Sequence, residues 1–248
     1  MVKEHYITTI DDHHYIKLYD LFDITQWRPT WKTVGNNVNY DIEIVDNTLF
    51  IFFQGSNEKI DWKRNFAFKK KPYKNMDITW RVHGGFLTAW KECKDAIHNE
   101  IESAKEKLHW PFSIIVSGYS HGAALAVLCH EWIWYNYPIL RAGYLQTYAF
   151  EAPRVLGYFK VPKQIKDRWF TLHTIRNGKD IVTHMPPKIF GFTHVGDVLN
   201  TNYHTGILKD HMPKHVKEGL LSESEKNELG DWSMFIDYYE EEDIKNGN

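Results

Sequence analysis

The sequence is poor in cysteine and contains no long apolar run. With two cysteines in 248 residues, the chain cannot hold a disulfide framework or a cysteine-based zinc ribbon. No uncharged apolar stretch reaches the roughly 18 residues that a membrane-spanning helix requires, so we expect no transmembrane segment. The first residues, MVKEHYITTIDDHH, lack the apolar segment of a secretory signal. These features predict a cytoplasmic protein or the mature form of a secreted one.

A strong charge of either sign is missing as well. The 30 basic and 32 acidic side chains give a net charge of -2, which provides no general attraction to nucleic acid. We therefore expect no nucleic-acid partner. The hydrophobic fraction of 43% is sufficient for a substantial core. Because repeats and proline-rich linkers are absent, we predict a single domain over residues 1–248.

Strand patterns alternate with helical patterns along the chain. Apolar residues at steps of three and four predict an amphipathic helix over 83–109, and the small and apolar residues of 120–135 predict a buried helix. The first 30 residues suggest a helical arm, and the lysines of 69–74 suggest a loop. Strands are predicted at 38–45, 48–53, 78–82, 112–118, 145–150 and 170–175. This alternation predicts an α/β fold with a largely parallel central sheet.

The motif GYSHG at 118–122 has the pattern G-x-S-x-G. It directly follows an apolar strand and directly precedes a helix, which is the context in which this motif forms a nucleophile elbow. A side chain at either flanking glycine would clash with the neighbouring strand or helix. The sharp turn lifts the hydroxyl of Ser120 above the sheet, at a helix N-terminus that favours developing negative charge. Ser120 is therefore the predicted nucleophile.

A serine nucleophile requires a base, and the base requires an orienting acid. Asp180 lies on the loop that leaves the predicted strand 170–175, at the sheet edge where sites of open α/β sheets form. Asp180 is the predicted acid. The alternative is that this aspartate only caps the turn at Asn177-Gly178. We favour His211 as the base because it lies on a loop before a predicted final helix. The downstream alternatives are His184, His194, His204 and His215.

An oxyanion hole needs two hydrogen-bond donors. The backbone N–H of His121, the residue after the nucleophile, is one. The segment Gln54-Gly55-Ser56 leaves strand 48–53 in a position to supply the other. Gly55 permits close approach of the backbone to a substrate, and Ser56 adds its hydroxyl.

These motifs together resemble the class 3 lipases, the fungal-type lipase family of the α/β-hydrolase fold. The resemblance covers about residues 30–215 in order, including FQGS at 53–56, VHGGF at 82–86, APRV at 152–155, NGKDIVTHMPP at 177–187 and FTHVG at 192–196. It implies a triad of Ser120, Asp180 and His211, with Ser56 and His121 at the oxyanion hole. The family usually has arginine where Gln54 stands and commonly leucine where His121 stands.

The same resemblance implies a single domain with a short lid at 57–68. Apolar side chains at Ile60, Trp62, Phe66 and Phe68 alternate with charged ones, so this segment fits either a lid that opens on a lipid surface or a fixed surface helix. A transient contact with a lipid interface is therefore expected only if this segment is a lid that opens.

The sequence thus predicts a serine hydrolase of carboxylic esters, most simply a lipase acting on acylglycerols. The mechanism requires no metal and no organic cofactor. One alternative is a short-chain carboxylesterase or phospholipase with the same triad, and another is a non-catalytic lipid-binding relative. A third alternative is a metal site with Asp210, His211 and His215 as ligands, although this segment lacks the glutamate of a zincin helix.

The C-terminal segment 217–248 differs in composition from the rest. It carries ten acidic side chains and three lysines. Trp232, Phe235 and Tyr238 recur at near-helical spacing, so we predict a surface helix with an acidic end.

Overall fold

A computed structural model describes residues 8–10, 13–35, 38–55, 68–75, 78–226 and 233–236. The α-helices within these ranges are α1 (Leu18–Gln26), α2 (Gly84–Lys105), α3 (His121–Asn136) and α4 (Pro213–Lys226). The strands are β1 (Thr8–Ile10), β2 (His13–Lys17), β3 (Lys32–Val34), β4 (Val38–Val45), β5 (Thr48–Phe53), β6 (Lys70–Asn75), β7 (Ile78–His83), β8 (Ser113–Tyr119), β9 (Leu145–Phe150), β10 (Leu172–Asn177), β11 (Asp197–Thr201) and β12 (Ser233–Ile236).

A seven-stranded sheet forms the centre of the molecule, in the order β11-β10-β9-β8-β5-β4-β3. The strands from β11 to β5 pair in parallel, while β4 and β3 are antiparallel to their neighbours. The predicted α/β fold with a largely parallel central sheet is therefore confirmed. The parallel arrangement brings the carboxyl ends of β8, β9 and β10 to one edge, where the loops that follow them meet.

The sheet is covered on both faces. Leu49, Ile51 and Phe53 of β5 belong to the cluster packed by α2 and α3. Phe50 and Phe52 of the same strand belong to the cluster packed by α1 and α4. A strand buried on both faces reads as a continuous apolar run rather than an alternating one, which is why TLFIFF lacks a polar face.

Helix α3 is a buried helix, with every residue from Gly122 to Ile133 buried. It follows β8 directly and contacts both β8 and β9. The alanines of its first turns allow the helix to approach the sheet closely, and this fixes the turn that contains Ser120. Helix α2 buries the predicted stripe from Phe86 to Ala104 against α3.

Three segments differ from the predictions. Residues 70–75 form β6, which pairs with β7, where a loop was expected. The predicted helical arm at the N-terminus is limited to α1, because 13–17 forms β2. Residues 233–236 of the predicted C-terminal helix form β12, which pairs with β2. In each case pairing with a distant or adjacent strand overrides the local pattern.

Other parts of the predicted segments lie outside the described residues, namely Ser56, 57–67 of the lid, and 227–232 and 237–248 of the tail. Among the helices that the structure describes, none is both long enough and apolar enough to cross a membrane.

Candidate active site

Ser120 occupies the turn between β8 and α3 with φ 55° and ψ -118°. A positive φ is rare for a residue with a side chain and costs about 1–3 kcal/mol. The backbone N–H of Ser120 donates to the carbonyl of Phe150 at 2.9 Å, and Ala124 N–H donates to the Ser120 carbonyl at 3.3 Å. These bonds tie the strained turn to β9 and α3, so the packing of both elements maintains it.

The two motif glycines are required by close backbone contacts. A Cβ at Gly118 would overlap the carbonyl of Gly122 and lie 2.8 Å from the Ala123 nitrogen. A Cβ at Gly122 would overlap the carbonyl of Phe53 and lie 2.6 Å from that of Gln54. The predicted reason for both glycines, the approach of the neighbouring helix and strand, therefore matches the geometry.

The predicted acid, base and nucleophile lie together at the carboxyl edge of the sheet. Ser120 Oγ is 2.9 Å from His211 Nε2, and His211 Nδ1 is 2.6 Å from Asp180 Oδ2. Because the carboxylate can only accept, Nδ1 carries the proton and Nε2 is free to accept from the serine hydroxyl. Asp180 is buried, and its second oxygen accepts the backbone N–H of Val182 at 2.8 Å.

The four alternative histidines have other partners. His194 Nε2 lies 2.7 Å from the Thr183 carbonyl, and burial lowers its pKa to about 3. His184 Nδ1 lies 2.8 Å from the backbone carbonyl of Asp180. His204 and His215 pair with the carboxylates of Asp210 and Glu218. Ser120 is thus approached by His211 and by none of these four.

The metal hypothesis is not supported by the arrangement of its three residues. His211 faces Ser120 and Asp180, Asp210 faces His204, and His215 faces Glu218 on α4. Since the three side chains diverge, they do not form a common coordination site.

Asp210 anchors the loop that carries His211, a role that the motif analysis did not identify. Its carboxylate accepts the backbone N–H groups of Thr205 at 2.7 Å, Gly206 at 3.0 Å and Lys179 at 2.8 Å, together with His204 Nδ1 at 2.5 Å. Burial alone would raise the pKa of Asp210, but these hydrogen bonds outweigh it and lower the pKa. The ionised carboxylate therefore joins the loop after β10 to the loop after β11.

Tyr119 also contacts His211, through its ring and its hydroxyl group. Its ring stacks on the imidazole with centroids 5.2 Å apart and an interplanar angle of 22°, and its hydroxyl donates to the His211 carbonyl. The only signal in the sequence was its position next to the predicted nucleophile, which does not reveal a contact with a residue 92 positions away.

The oxyanion side of the site is described in part. His121 begins α3, so its backbone N–H is one of those that the helix leaves without an acceptor. Burial lowers the pKa of the His121 ring, which lies 5.7 Å from that of Phe86. Gln54 is held by Asn39, whose side-chain amide donates to Gln54 Oε1 at 2.7 Å. This neutral contact occupies the position where the family usually has arginine.

Comparison with known proteins identifies the family of this chain. The sequence profile of one family, Lipase (class 3), matches residues 50–190, more than half of the 248 residues. The chain belongs to the class 3 lipase family. The resemblance drawn from the motifs is therefore confirmed.

Two fungal lipases are similar to this chain in sequence. A lipase of Rhizomucor miehei is 29% identical over 173 residues, which cover 68% of this chain and 46% of that protein. Secreted mono- and diacylglycerol lipase 1 of Fusarium solani is 26% identical over 147 residues, covering 59% of this chain and 41% of that protein. The chain thus spans under half the length of these two relatives.

A solved structure shares the architecture. Lipase II from Rhizopus niveus aligns with a TM-score of 0.63 and 24% identity, over 72% of this chain and 66% of that chain. Together with the mostly parallel sheet, this similarity shows the α/β-hydrolase fold that the motifs implied.

The contacts of Gly122 lead to a first prediction. Gly122→Ala should lower the free energy of unfolding by about 1–3 kcal/mol, because the new methyl group displaces the backbone of β5. Urea denaturation measures this change. Gly85→Ala is the matched control, since it also lies in the first turn of a helix but its Cβ would meet only the His83 side chain, at 3.2 Å. Equal stability of the two variants would contradict the account.

The contacts of Asp210 lead to a second prediction. Asp210→Asn should lower the free energy of unfolding by about 1–3 kcal/mol at neutral pH, because an amide nitrogen would face backbone donors. Since folding favours the ionised form, this stabilisation is present above about pH 4 and is lost as the pH falls below that value. Asp197→Asn, at an exposed position of β11, is the control. A difference between the two variants that persists unchanged at pH 2 would be inconsistent with this assignment.

Proposed function

We propose that this protein is a serine hydrolase that cleaves acylglycerol esters, with Ser120 as nucleophile, His211 as general base and acid, and Asp180 as the residue that orients His211. The observation that carries the proposal is the continuous hydrogen-bond chain from Ser120 Oγ through His211 to Asp180. It lies at a strained strand-to-helix turn in a member of a lipase family.

The mechanism follows from these contacts. Ser120 Oγ attacks the ester carbonyl carbon while its proton moves to His211 Nε2. Asp180 accepts the Nδ1 proton in a hydrogen bond, which keeps the correct tautomer and stabilises the imidazolium. The imidazolium then protonates the leaving alcohol, and an acyl group remains on Ser120. Water, deprotonated by His211, releases the acid and regenerates the serine. The chemistry uses only these side chains and water.

The negative charge on the substrate oxygen needs preorganised donors. We assign one of them to the backbone N–H of His121, which lies at the start of α3. We assign the second to Ser56, which follows the segment that Asn39 holds at Gln54. With the His121 ring kept neutral by burial, the donor at this position is the backbone rather than a cationic side chain.

An apolar surface beside the triad supports a lipid substrate. The loops that carry Asp180 and His211 are joined by the hydrogen bond from Ile181 N–H to the Ile207 carbonyl at 3.0 Å. Ile181 and Ile207 are exposed, as are Leu208, at 72% exposure, and Met212. Exposed apolar side chains on the rim of a site fit an acyl chain or a lipid surface. Acylglycerols are also the substrates named for the Fusarium solani relative.

The proposed lid, 57–68, would regulate access to this rim. Its last residue, Phe68, stacks on Phe190 with ring centroids 4.9 Å apart, which supports an anchored C-terminal end for the lid. The ammonium nitrogen of Lys70, two residues further along the chain, lies 5.1 Å from the ring centroid of Phe192. Lid opening at a lipid interface would then involve a transient contact between the apolar rim and that interface.

The hydrolysis of nitrophenyl esters with two to sixteen carbons tests this proposal. We expect the highest kcat/KM for the long chains, because the apolar rim interacts with the acyl group. Ser120→Ala should lower kcat by at least about 10⁴-fold, since the nucleophile is removed. Ser222→Ala, on α4 far along the chain from the turn, is the control and should retain activity.

The other outcomes separate the alternatives. A maximum at two to four carbons would indicate a short-chain carboxylesterase with the same triad. Release of fatty acid from phospholipid vesicles at a higher rate than from acylglycerols would indicate a phospholipase. No turnover of any ester by folded protein would contradict catalysis and leave a lipid-binding relative.

A further inference from the structure

Glu151 occupies a conformation that favours glycine. It directly follows β9 and has φ 52°. This backbone conformation costs a residue with a side chain about 1–3 kcal/mol. Its backbone N–H donates to the carbonyl of Ile175 in β10 at 2.8 Å, which fixes the residue beside the strand that leads to Asp180. Backbone strain of this kind is concentrated at functional sites. The contacts of the Glu151 carboxyl group are therefore the place to look for a function.

The carboxyl group of Glu151 lies behind the proposed triad. One of its oxygens, an Asp180 oxygen and a His211 nitrogen all lie within 4.8 Å of one another. Glu151 is fully buried. Within the described part of the chain its carboxyl oxygens have no side-chain donor, and the backbone N–H of Asn177, which favours the charged form, has a smaller effect than burial. A buried carboxylate with so little compensation is strongly unfavourable, whereas a neutral acid needs only one acceptor for its O–H.

The surroundings of Glu151 favour that neutral form on balance, although the charged and titratable groups near it act in both directions. They come from each packed element: Tyr119 from β8, Arg176 from β10, Asp180 from the loop after β10, and His211 from the loop after β11. Burial, and then the neighbouring Asp180, raise the pKa of Glu151 well above its ordinary value, while the backbone N–H of Asn177 and the Arg176 guanidinium act in the opposite direction. Two carboxyl groups this close do not both ionise at neutral pH.

We propose that Glu151 is a positioning residue that, as a neutral acid, donates its O–H to the Asp180 carboxylate and holds it against His211. The inference rests on the proposed function of the triad. The pair carries one negative charge, which Asp180 presents to the imidazole. Glu151 therefore acts through Asp180 and does not touch the substrate.

Two substitutions separate this arrangement from its alternatives. Glu151→Gln keeps a neutral donor of the same shape. Glu151→Gly removes the donor and also relieves the positive φ, so backbone strain cannot account for a loss of activity. We expect Gln to retain kcat within about threefold and Gly to lower kcat about tenfold or more with KM little changed, as for the loss of one charge-assisted hydrogen bond.

The pKa of His211 gives a readout that does not depend on turnover. The Nδ1–H resonance can be followed by proton NMR against pH and assigned by its absence in His211→Ala. We expect the Gln variant to match the wild type, and the Gly variant to match it or titrate at higher pH, because Asp180 then gives its full charge to the imidazole. An ionised Glu151 would instead raise the pKa of His211 in the wild type, so both variants would titrate about one pH unit or more lower.

Each result decides the inference. Lower titration of His211 in the Gln variant overturns it, and this comparison remains valid if the Gly variant does not fold. Wild-type kcat and wild-type titration in a folded Gly variant also overturn it, since Glu151 would then have no influence. Absence of ester hydrolysis by the wild type would contradict the proposed function, while the titration would still test the arrangement of Glu151 and Asp180.

Discussion

The backbone conformation of Ser120 is the constraint on which the site depends. Its φ of 55° is unfavourable in isolation and is maintained by hydrogen bonds to β9 and α3. The turn also requires α3 to lie against β5 so closely that Gly122 leaves no space for a methyl group. The buried helix, the apolar strands on either side and the position of the hydroxyl are therefore consequences of one tight packing arrangement.

Polar groups position the two loops that complete the site. Asn177, at the end of β10, donates to the carbonyls of Asp210 at 3.0 Å and His215 at 3.2 Å. Asp210 in turn accepts backbone N–H groups from both loops. Because the side chains of Asn177 and Asp210 are buried, water competes little for their side of these bonds. The imidazole of His211 is thereby held at hydrogen-bond distance from Ser120 by groups that take no part in the proposed chemistry.

Local patterns identified the elements that local interactions determine. The hairpin of β4 and β5 and the bounds of β9 agree with the predictions, and the buried helix at 121–136 differs by one residue at each end. Strand β12 was missed because its pairing partner lies more than 200 positions away. Glu151 and Asp210 were missed for a related reason, since their importance follows from neighbours that only the fold brings near.

Labelling with an alkyl fluorophosphonate tests the central claim, that the geometry of the turn activates Ser120. The reagent reacts with a serine only where a base accepts its proton and donors stabilise the developing negative charge. The account predicts one adduct, located on Ser120 by peptide mass, and a much slower reaction in His211→Ala. A folded wild-type protein that stays unlabelled, or that is labelled at another residue, would contradict it.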